Sequence, residues 1–308
     1  MMKKTMTYYC SWWWMLAVVL VALSSCIRDK INPCPPLQVK IAIAGKNYIN
    51  IDYVERETGL DHRLDEDMSF RSYIQKLFYA LYDLETGEVV SVRHLHDVTG
   101  DADMATVYLP EDLPFGRYGL VVWGNINSEE GILADGSLGT YNLHLGHVEG
   151  YDVYMTADEL LYDELNYDYV VKLKRVKGKL LIQAVDFPPE IRWSMKEVSG
   201  VTGNVDYDFH YSESETVVTY TEWTERSSSF TSRTWLSPSV SSSGSWVEAY
   251  LYDSSEMEVP VINLKPVQAE IKRNEITVLR YVYDEATGDV SIYILMDDGW
   301  DTIHNLEI

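Results

Sequence analysis

Apolar and polar residues alternate in short runs along most of the chain. In Gln38–Ile43, the side chains of Val39, Ile41 and Ile43 share one face, as in a half-buried strand. Residues 116–123 are apolar on both faces, which predicts a strand inside a sheet. Turn signals separate many further runs, and no long window after the N-terminal segment has an apolar stripe with helical spacing. This pattern predicts an all-β protein made of β-sandwiches.

Three stretches depart from this pattern. Residues 50–68 are polar and acidic, which predicts a loop or a short exposed helix. A helical turn is expected at 156–161, where a threonine and a glutamate have the spacing of a capping box. Residues 227–245 contain ten serines, so we expect a long surface loop interrupted by short pairing at Phe230 and Trp235.

The first 25 residues have the order of a secretory signal. Lys3 and Lys4 precede the apolar residues 12–23, and Leu-Ser-Ser-Cys ends at Cys26. The apolar core is shorter than the ~20 residues needed to cross a bilayer. The tetrapeptide resembles a lipobox, in which the cysteine thiol takes a diacylglycerol and the new N-terminal amine is acylated. We therefore predict lipid attachment at Cys26; the alternative is an ordinary signal peptide with an incidental cysteine.

The chain is predicted to divide into four segments. The strand pattern restarts at Tyr169 after a looser acidic stretch, and prolines stiffen the segment before the first strand. The length that remains fits two sandwiches of ordinary size. The expected segments are a lipoprotein signal peptide at 1–25, a lipidated cysteine with a proline-rich tether at 26–37, an N-terminal β-sandwich at 38–165 and a C-terminal β-sandwich at 166–308.

Charge and cysteine content narrow the possible partners. The full chain has a net charge of −23, which becomes about −25 when the two lysines of the signal are removed. This excess of acid repels nucleic acid and anionic lipid headgroups, so neither is an expected partner. Cys10 leaves with the signal and Cys26 would be acylated, so only Cys34 remains and no intrachain disulfide is expected. Cys34 lies between prolines and is interpreted as a spare thiol in the tether.

The candidates for catalysis and metal binding are weak. His94 and His96 alternate on a predicted strand before Asp97, so both imidazoles could approach one metal ion. No further ligands have suitable spacing, which favours a solvent-facing strand end. The chain lacks a Gly-x-Ser-x-Gly elbow, a phosphate-binding loop and a dinucleotide fingerprint. We predict no catalytic, cofactor-binding or metal-binding residues and no enzyme activity; a secreted hydrolase is the weakest alternative.

Aromatic residues raise another possibility. Six tryptophans and 21 tyrosines remain after the signal is removed. Exposed rings can stack on sugars, so the alternative function is a carbohydrate-binding surface lipoprotein of a glycan-uptake system. Tyrosine is also common in half-buried strands, which needs no ligand. Trp123 lies in the run that is apolar on both faces, so we predict that it is a core residue.

Several short motifs resemble one known family. They are the lipobox cysteine with the later Cys34-Pro35, the strand at 77–83 running into a Thr-Gly turn, the segment 113–118 leading to Trp-Gly-Asn at 123–125, and the opening of the second half at 171–182 with Lys-Arg-Val-Lys-Gly. On these residues the chain resembles the FimB-like fimbrial anchor lipoproteins, which belong to the type V fimbriae of Bacteroidales-type bacteria.

This resemblance implies both a fold and a role. The fold would be two tandem transthyretin-like (Ig-like) β-sandwiches, and the lipid would hold the protein in the outer membrane, at the cell surface. The implied partners are fimbrillin-like shaft subunits. They would join by strand complementation, in which a strand of one chain completes a sheet of another. The family also includes proteins that cap or adorn the shaft, so the implied role is a fimbrial anchor or assembly subunit.

Replacing Cys26 by serine should block acylation, because the hydroxyl cannot form the thioether. The Cys26→Ser protein should stay uncleaved or lose its membrane location. Mass spectrometry of the mature wild-type protein checks the premise: it should show an acylated cysteine at the N-terminus. An unlipidated N-terminus at another residue would contradict the prediction.

Overall fold

The computed structural model describes residues 35–134, 137–223 and 229–303. Within these residues the secondary structure is almost all β, with one α-helix, α1 (Ile51–Thr58), and a 3-10 turn at Phe70–Ser72. The strands are β1 Gln38–Ile43, β2 Lys76–Asp83, β3 Val89–Asp97, β4 Ala105–Val107, β5 Gly116–Gly124, β6 Leu133–Ala134, β7 Ser137–Leu138, β8 Tyr141–Asn142, β9 Tyr154–Tyr162, β10 Asp168–Arg175, β11 Gly178–Val185, β12 Trp193–Val205, β13 Tyr211–Glu222, β14 Ser229–Leu236, β15 Ser245–Tyr252, β16 Ile262–Asn263, β17 Val267–Ala269, β18 Ile276–Tyr283, β19 Val290–Met296 and β20 Gly299–Thr302.

The first sandwich is one sheet folded onto itself. Its strand order is β3-β2-β5-β9-β10-β1-β4. Strands β9 and β10 pair only at Met155↔Lys174 and Tyr154↔Arg175, so this contact forms a corner between two layers. Strand β1 lies in the second layer, parallel to β10 and antiparallel to β4. Alternate residues from both layers, such as Ile41 and Leu120, are fully buried between them.

The second sandwich has two separate sheets. One has the order β14-β11-β18-β19-β20, and the other contains β13-β12-β15-β16 with β17 and β8 added. Leu180 and Leu279 from the first sheet pack against Val198 and Val247 from the second, and all four are fully buried. The two apolar cores, one between the layers of the folded sheet and one between two sheets, confirm the predicted all-β class with β-sandwich architecture.

The chain passes from the first sandwich to the second between Arg175 and Gly178. A Cβ atom at Gly178 would lie 2.2 Å from the backbone oxygen of Lys272, so only glycine fits this approach. Strand β10 pairs with the first sandwich, although it follows the predicted boundary at 165/166. That boundary stays a prediction.

The predicted helix within residues 50–68 exists, but it is not exposed on all sides. Ile51 and Val54 of α1 are buried. They pack against Leu181, Ile276 and Val278, on the outer face of the sheet that contains β11 and β18. A segment from the first half of the chain therefore covers a sheet of the second half.

The helical turn predicted at 156–161 is wrong. These residues lie within β9, which pairs with β5 from Tyr154 to Tyr162. The Thr156 hydroxyl donates to Asp158 Oδ2 at 2.7 Å, so it does not cap a helix. Leu160 and Tyr162 are buried with strand spacing, and this burial outweighs the local capping pattern.

The long surface loop predicted at 227–245 is wrong for much of its length, although the expected pairing at Phe230 and Trp235 is confirmed. Residues 227 and 228 lie outside the described residues. Ser229–Leu236 is strand β14, which pairs with β11 along its whole length. Ser232 and Ser237 are buried, so several of these serines lie inside the structure. Serine is tolerated there because neighbouring polar groups satisfy the hydroxyls.

The prediction that Trp123 is a core residue is confirmed, since it is 1% exposed. Its ring packs 5.4 Å from the ring of Tyr141 in the cluster on the outer face of β5. Trp246, by contrast, is 48% exposed.

Truncating Trp123 to alanine should lower the free energy of unfolding by ~3–5 kcal/mol, because it removes a large buried ring. Trp246→Ala is the matched control and should cost far less. Chemical denaturation of both variants measures the difference. Loss of glycan binding in Trp123→Ala with an unchanged melting temperature would instead support the carbohydrate-binding alternative.

Candidate functional site

The predicted lipid-attachment residue Cys26 lies outside the described residues, as do Cys34 and the signal peptide at 1–25. Lipid attachment therefore stays a prediction. Within the described ranges, no helix combines the length and apolar character that a membrane crossing needs.

The two histidines considered as metal ligands make other contacts. His94 Nδ1 lies 2.7 Å from Glu129 Oε2, and His96 Nδ1 lies 2.9 Å from the backbone oxygen of His94. The His96 ring also packs edge-on against Tyr79, 5.9 Å between centroids. Among the residues that the structure describes, no three potential metal ligands come together.

Glu129 also closes part of a sheet edge. Strand β3 is the outer strand of its layer, and the Leu95 amide donates to Glu129 Oε1 at 2.5 Å. The same carboxylate thus holds the His94 ring and an edge amide. Burial raises the pKa of Glu129, but the hydrogen bonds from His94 and Leu95 outweigh this and leave that pKa below its usual value.

The longest edge strand in the described chain is β13, which pairs with β12 on one side. The Trp223 amide points toward β12 and donates to the Arg192 backbone oxygen. The Val218 amide points the opposite way and donates to the His147 backbone oxygen at 2.9 Å. Amides alternate in direction along a strand, so those of Tyr220 and Glu222 point the same way as Val218. Neither has a hydrogen-bond partner among the described residues.

The facing edge strand, β14, is partly closed. Its Trp235 amide donates to Glu149 Oε2 at 3.2 Å. The rings of Phe230, at the start of β14, and Trp223, at the end of β13, lie 4.0 Å apart. The two edge strands therefore meet at one side of the second sandwich, and beyond Val218 no described residue pairs with the outer edge of β13.

A buried ionic cluster lies where the two sandwiches join. Arg175 ends β10, and its side chain is 3% exposed. Its Nε lies 3.0 Å from both carboxylate oxygens of Asp152. The other nitrogens donate to Asn274 Oδ1 at 2.6 Å, to the Tyr154 hydroxyl and to the Lys46 backbone oxygen at 3.3 Å. The buried charge is thus paired and each guanidinium nitrogen has a hydrogen-bond partner, as burial requires.

Two residues later, Lys177 is completely buried. Its ammonium donates to the backbone oxygens of Leu143, at 2.8 Å, and Glu149. Burial lowers the pKa of Lys177 to about 7. Burial, with the Lys177 charge as a smaller cause, also lowers the pKa of His144 to about 3. In neutral His144, Nε2 accepts a hydrogen bond from the Ser237 backbone amide. The proton is therefore on Nδ1, which donates a hydrogen bond to the Val148 backbone oxygen.

Lys196 on β12 is a second buried lysine, inside the second sandwich. Its ammonium lies 3.2 Å from Ser232 Oγ and also contacts Thr234 Oγ1, both on β14. Burial lowers the pKa of Lys196 to about 8, and the negative charge of Glu149 opposes part of this decrease. Burial in turn raises the pKa of Glu149.

Only an indirect signal for the buried cations at the joint was present in the sequence. Arg175, Lys177 and Lys179 stand at alternate positions, and two of them belong to the Lys-Arg-Val-Lys-Gly motif noted above. Nothing in that pattern showed that the side chains are buried. Lys179 is 12% exposed and lies 2.7 Å from Asp61, which is 21% exposed.

Comparison with known proteins identifies one family. The model of the family described as fimbrillin-A associated anchor proteins Mfa1 and Mfa2 matches residues 33–306. A search of curated proteins finds no match.

Several solved structures are similar in fold. A protein from Bacteroides thetaiotaomicron, described as a candidate adhesin, matches with 13% identity and a TM-score of 0.55, over 89% of this chain and 100% of that chain. A candidate polysaccharide-binding protein from the same species matches with 9% identity and a TM-score of 0.55, over 87% and 99%. The fimbrial anchor protein Mfa2 from Porphyromonas gingivalis matches with 14% identity and a TM-score of 0.48, over 88% and 100%. At these identities, the first two matches show a shared fold.

The buried Lys196 should make stability depend on pH. Between about pH 8 and pH 10, an unfolded lysine binds more protons than folded Lys196, so the free energy of unfolding should rise with pH in this window. One such group contributes at most about 1.4 kcal/mol per pH unit. Lys196→Met should lose this contribution, whereas the exposed Lys265→Met should keep it.

Urea unfolding of the three proteins at intervals from pH 7 to pH 10 measures this effect. Only the slope of Lys196→Met should be smaller than that of the wild type. Parallel curves for Lys196→Met and the wild type would contradict the assignment.

Proposed function

This chain belongs to the family of fimbrillin-A associated anchor proteins Mfa1 and Mfa2, and from that premise we propose that it is an outer-membrane lipoprotein that anchors or assembles a fimbria by β-strand complementation. Fimbrial shaft subunits would be its partners. The observation that carries this proposal is the open outer edge of β13 in a fold built almost entirely of sheets.

Strand complementation needs an edge with free backbone groups. At Tyr220 and Glu222 the outward amides have no hydrogen-bond partner within the described residues, and Tyr220 is 63% exposed. A partner strand could pair there without displacing any of the described strands. Backbone hydrogen bonds would supply affinity, and side-chain contacts on alternate residues would supply selectivity. Natural proteins usually protect such edges, as Glu129 and Glu149 do on β3 and β14.

If a lipid at Cys26 holds the protein, a pulling force on the fimbria would reach the first sandwich through β1, the first strand after the proposed tether. Strand β1 is hydrogen-bonded on both sides, to β10 and β4. Because β1 and β10 are parallel, pulling the N-terminal end of β1 against the C-terminal end of β10 slides the two strands along each other. All their hydrogen bonds then share the load, which suits a protein that holds a filament. The predicted segments 1–25, 26–37, 38–165 and 166–308 remain part of this proposal.

The alternative, a carbohydrate-binding surface lipoprotein, has one feature in its favour. A cavity of about 220 Å³ is lined by polar groups that include Asn127, Thr140 and Asn204. Amides and hydroxyls of this kind can bind sugar hydroxyls. Trp123, the most prominent aromatic candidate, is buried and cannot serve as a platform for stacking.

Deletion of the gene should release fimbriae into the medium or change their length. Complementation with the wild type or with Tyr220→Thr should restore attachment, because threonine keeps both the outward amide and strand propensity. Tyr220→Pro should not restore it, since proline removes that amide but leaves the bonds between β12 and β13 intact. Electron microscopy and co-purification of shaft subunits measure the outcome, and circular dichroism shows whether the variants fold.

Two results would contradict these proposals separately. Attached fimbriae of normal length in the deletion strain, together with no co-purifying subunit, would exclude the anchoring role. Full restoration of fimbrial attachment by a folded Tyr220→Pro protein would exclude the β13 edge as the pairing site.

A further inference from the structure

A cavity of about 330 Å³ opens beside the buried ionic cluster. Its walls come from the loop after β1, the end of β10 and the turn before β18. Lys174 and Arg273, both exposed, stand on its wall together with Asn274. Arg175 also lines it, but its charge is already neutralised by Asp152. Lys174 and Arg273 therefore give the cavity its positive character.

The described residues offer neither cation an acidic partner. No carboxylate of the described chain lies within ion-pair distance of Lys174 or Arg273. Acidic residues are abundant, since the chain has 48 of them and 25 lysines and arginines. The neighbouring Lys272, for example, pairs with Glu270 at 3.2 Å. Lys174 and Arg273 are thus left without an ion pair within the described chain, so both charges can meet a ligand.

One aromatic ring positions both cations. The Arg273 guanidinium carbon lies 4.5 Å from the centroid of the Phe209 ring, and Lys174 Nζ lies 5.9 Å from it. Phe209 stands in the tight turn between β12 and β13 with φ at 63°, a left-handed conformation that is costly for a bulky residue. A guanidinium held against a ring by its face keeps its N–H groups available at the edge.

Asn274 supplies a third donor. Its side-chain oxygen accepts a hydrogen bond from Arg175 at 2.6 Å, which fixes the orientation of the amide. The nitrogen of that amide has no partner among the described residues. The wall therefore combines a planar guanidinium, an ammonium and an amide N–H₂, which are all donors.

We propose that this cavity binds an oxyanion, that is, the carboxylate, sulfate or phosphate group of a small ligand. The guanidinium edge matches two oxygens of such a group, and the lysine ammonium adds a point charge. The cavity volume is of the size that holds a small molecule. This proposal does not depend on the anchoring role, because it concerns a different surface from the β13 edge.

Isothermal titration calorimetry at constant ionic strength tests the site on the full chain, with sodium sulfate, sodium phosphate and sodium glucuronate as probes. Glucose is the neutral control. At least one anion should bind and glucose should not. Tighter binding of glucuronate would assign the site to carboxylate ligands, whereas tighter binding of sulfate or phosphate would assign it to tetrahedral oxyanions.

Three variants locate the binding. Lys174→Gln and Arg273→Gln should each weaken it by about ten-fold or more, which is the usual effect of losing a charged hydrogen bond. Lys172→Gln removes an equal charge from the same strand, away from the cavity, and should bind as the wild type does. Melting temperatures show whether each variant is folded. The proposal fails if no anion binds, or if Lys172→Gln weakens binding as much as the two cavity variants do.

Discussion

Burial of cationic side chains in the segment that joins the two sandwiches is the constraint on which their arrangement depends. Removing a charge from water costs several kcal/mol unless close partners replace the solvent. Arg175 finds such partners in Asp152 and Tyr154, and its guanidinium lies 4.0 Å from the Tyr48 ring. Lys177 finds them in the loop that contains Leu143. Arg175 also donates to Asn274, which precedes β18 of the second sandwich, so moving the sandwiches apart would remove one of the groups that stabilise this buried charge.

Helix α1 reinforces the same joint from outside. It follows β1 of the first sandwich, yet Ile51 and Val54 pack on the outer face of the second. Asn50 adds direct bonds there, because its side chain exchanges hydrogen bonds with the backbone of Ile276 at 2.8 and 2.9 Å. The segment from β1 to α1 is thus fixed to both sandwiches.

The strand pattern was predictable where one face of a strand must be buried. Gln38–Ile43 has the bounds expected from alternation, and the apolar residues of β5 place it between two other strands. Local signals misled where packing decides the outcome. The capping pattern at 156–161 could not show that Leu160 would enter the core, and the serines near β14 could not show that a strand would form. Sequence assigns lysine to the surface by default, so the burial of Lys177 was not predictable.

The distribution of charge also limits how this protein can recognise a partner. Three cationic side chains are buried, those of Arg175, Lys177 and Lys196. They do not offset the acidic residues at the surface of a chain with a net charge of −23. Acidic partners would be repelled over most of that surface. Pairing of backbone groups at a sheet edge carries no net charge, so this repulsion opposes it less. An open edge on β13 is therefore a form of contact that suits an acidic protein, and the cationic cavity beside Phe209 provides a separate place where an anion would be attracted.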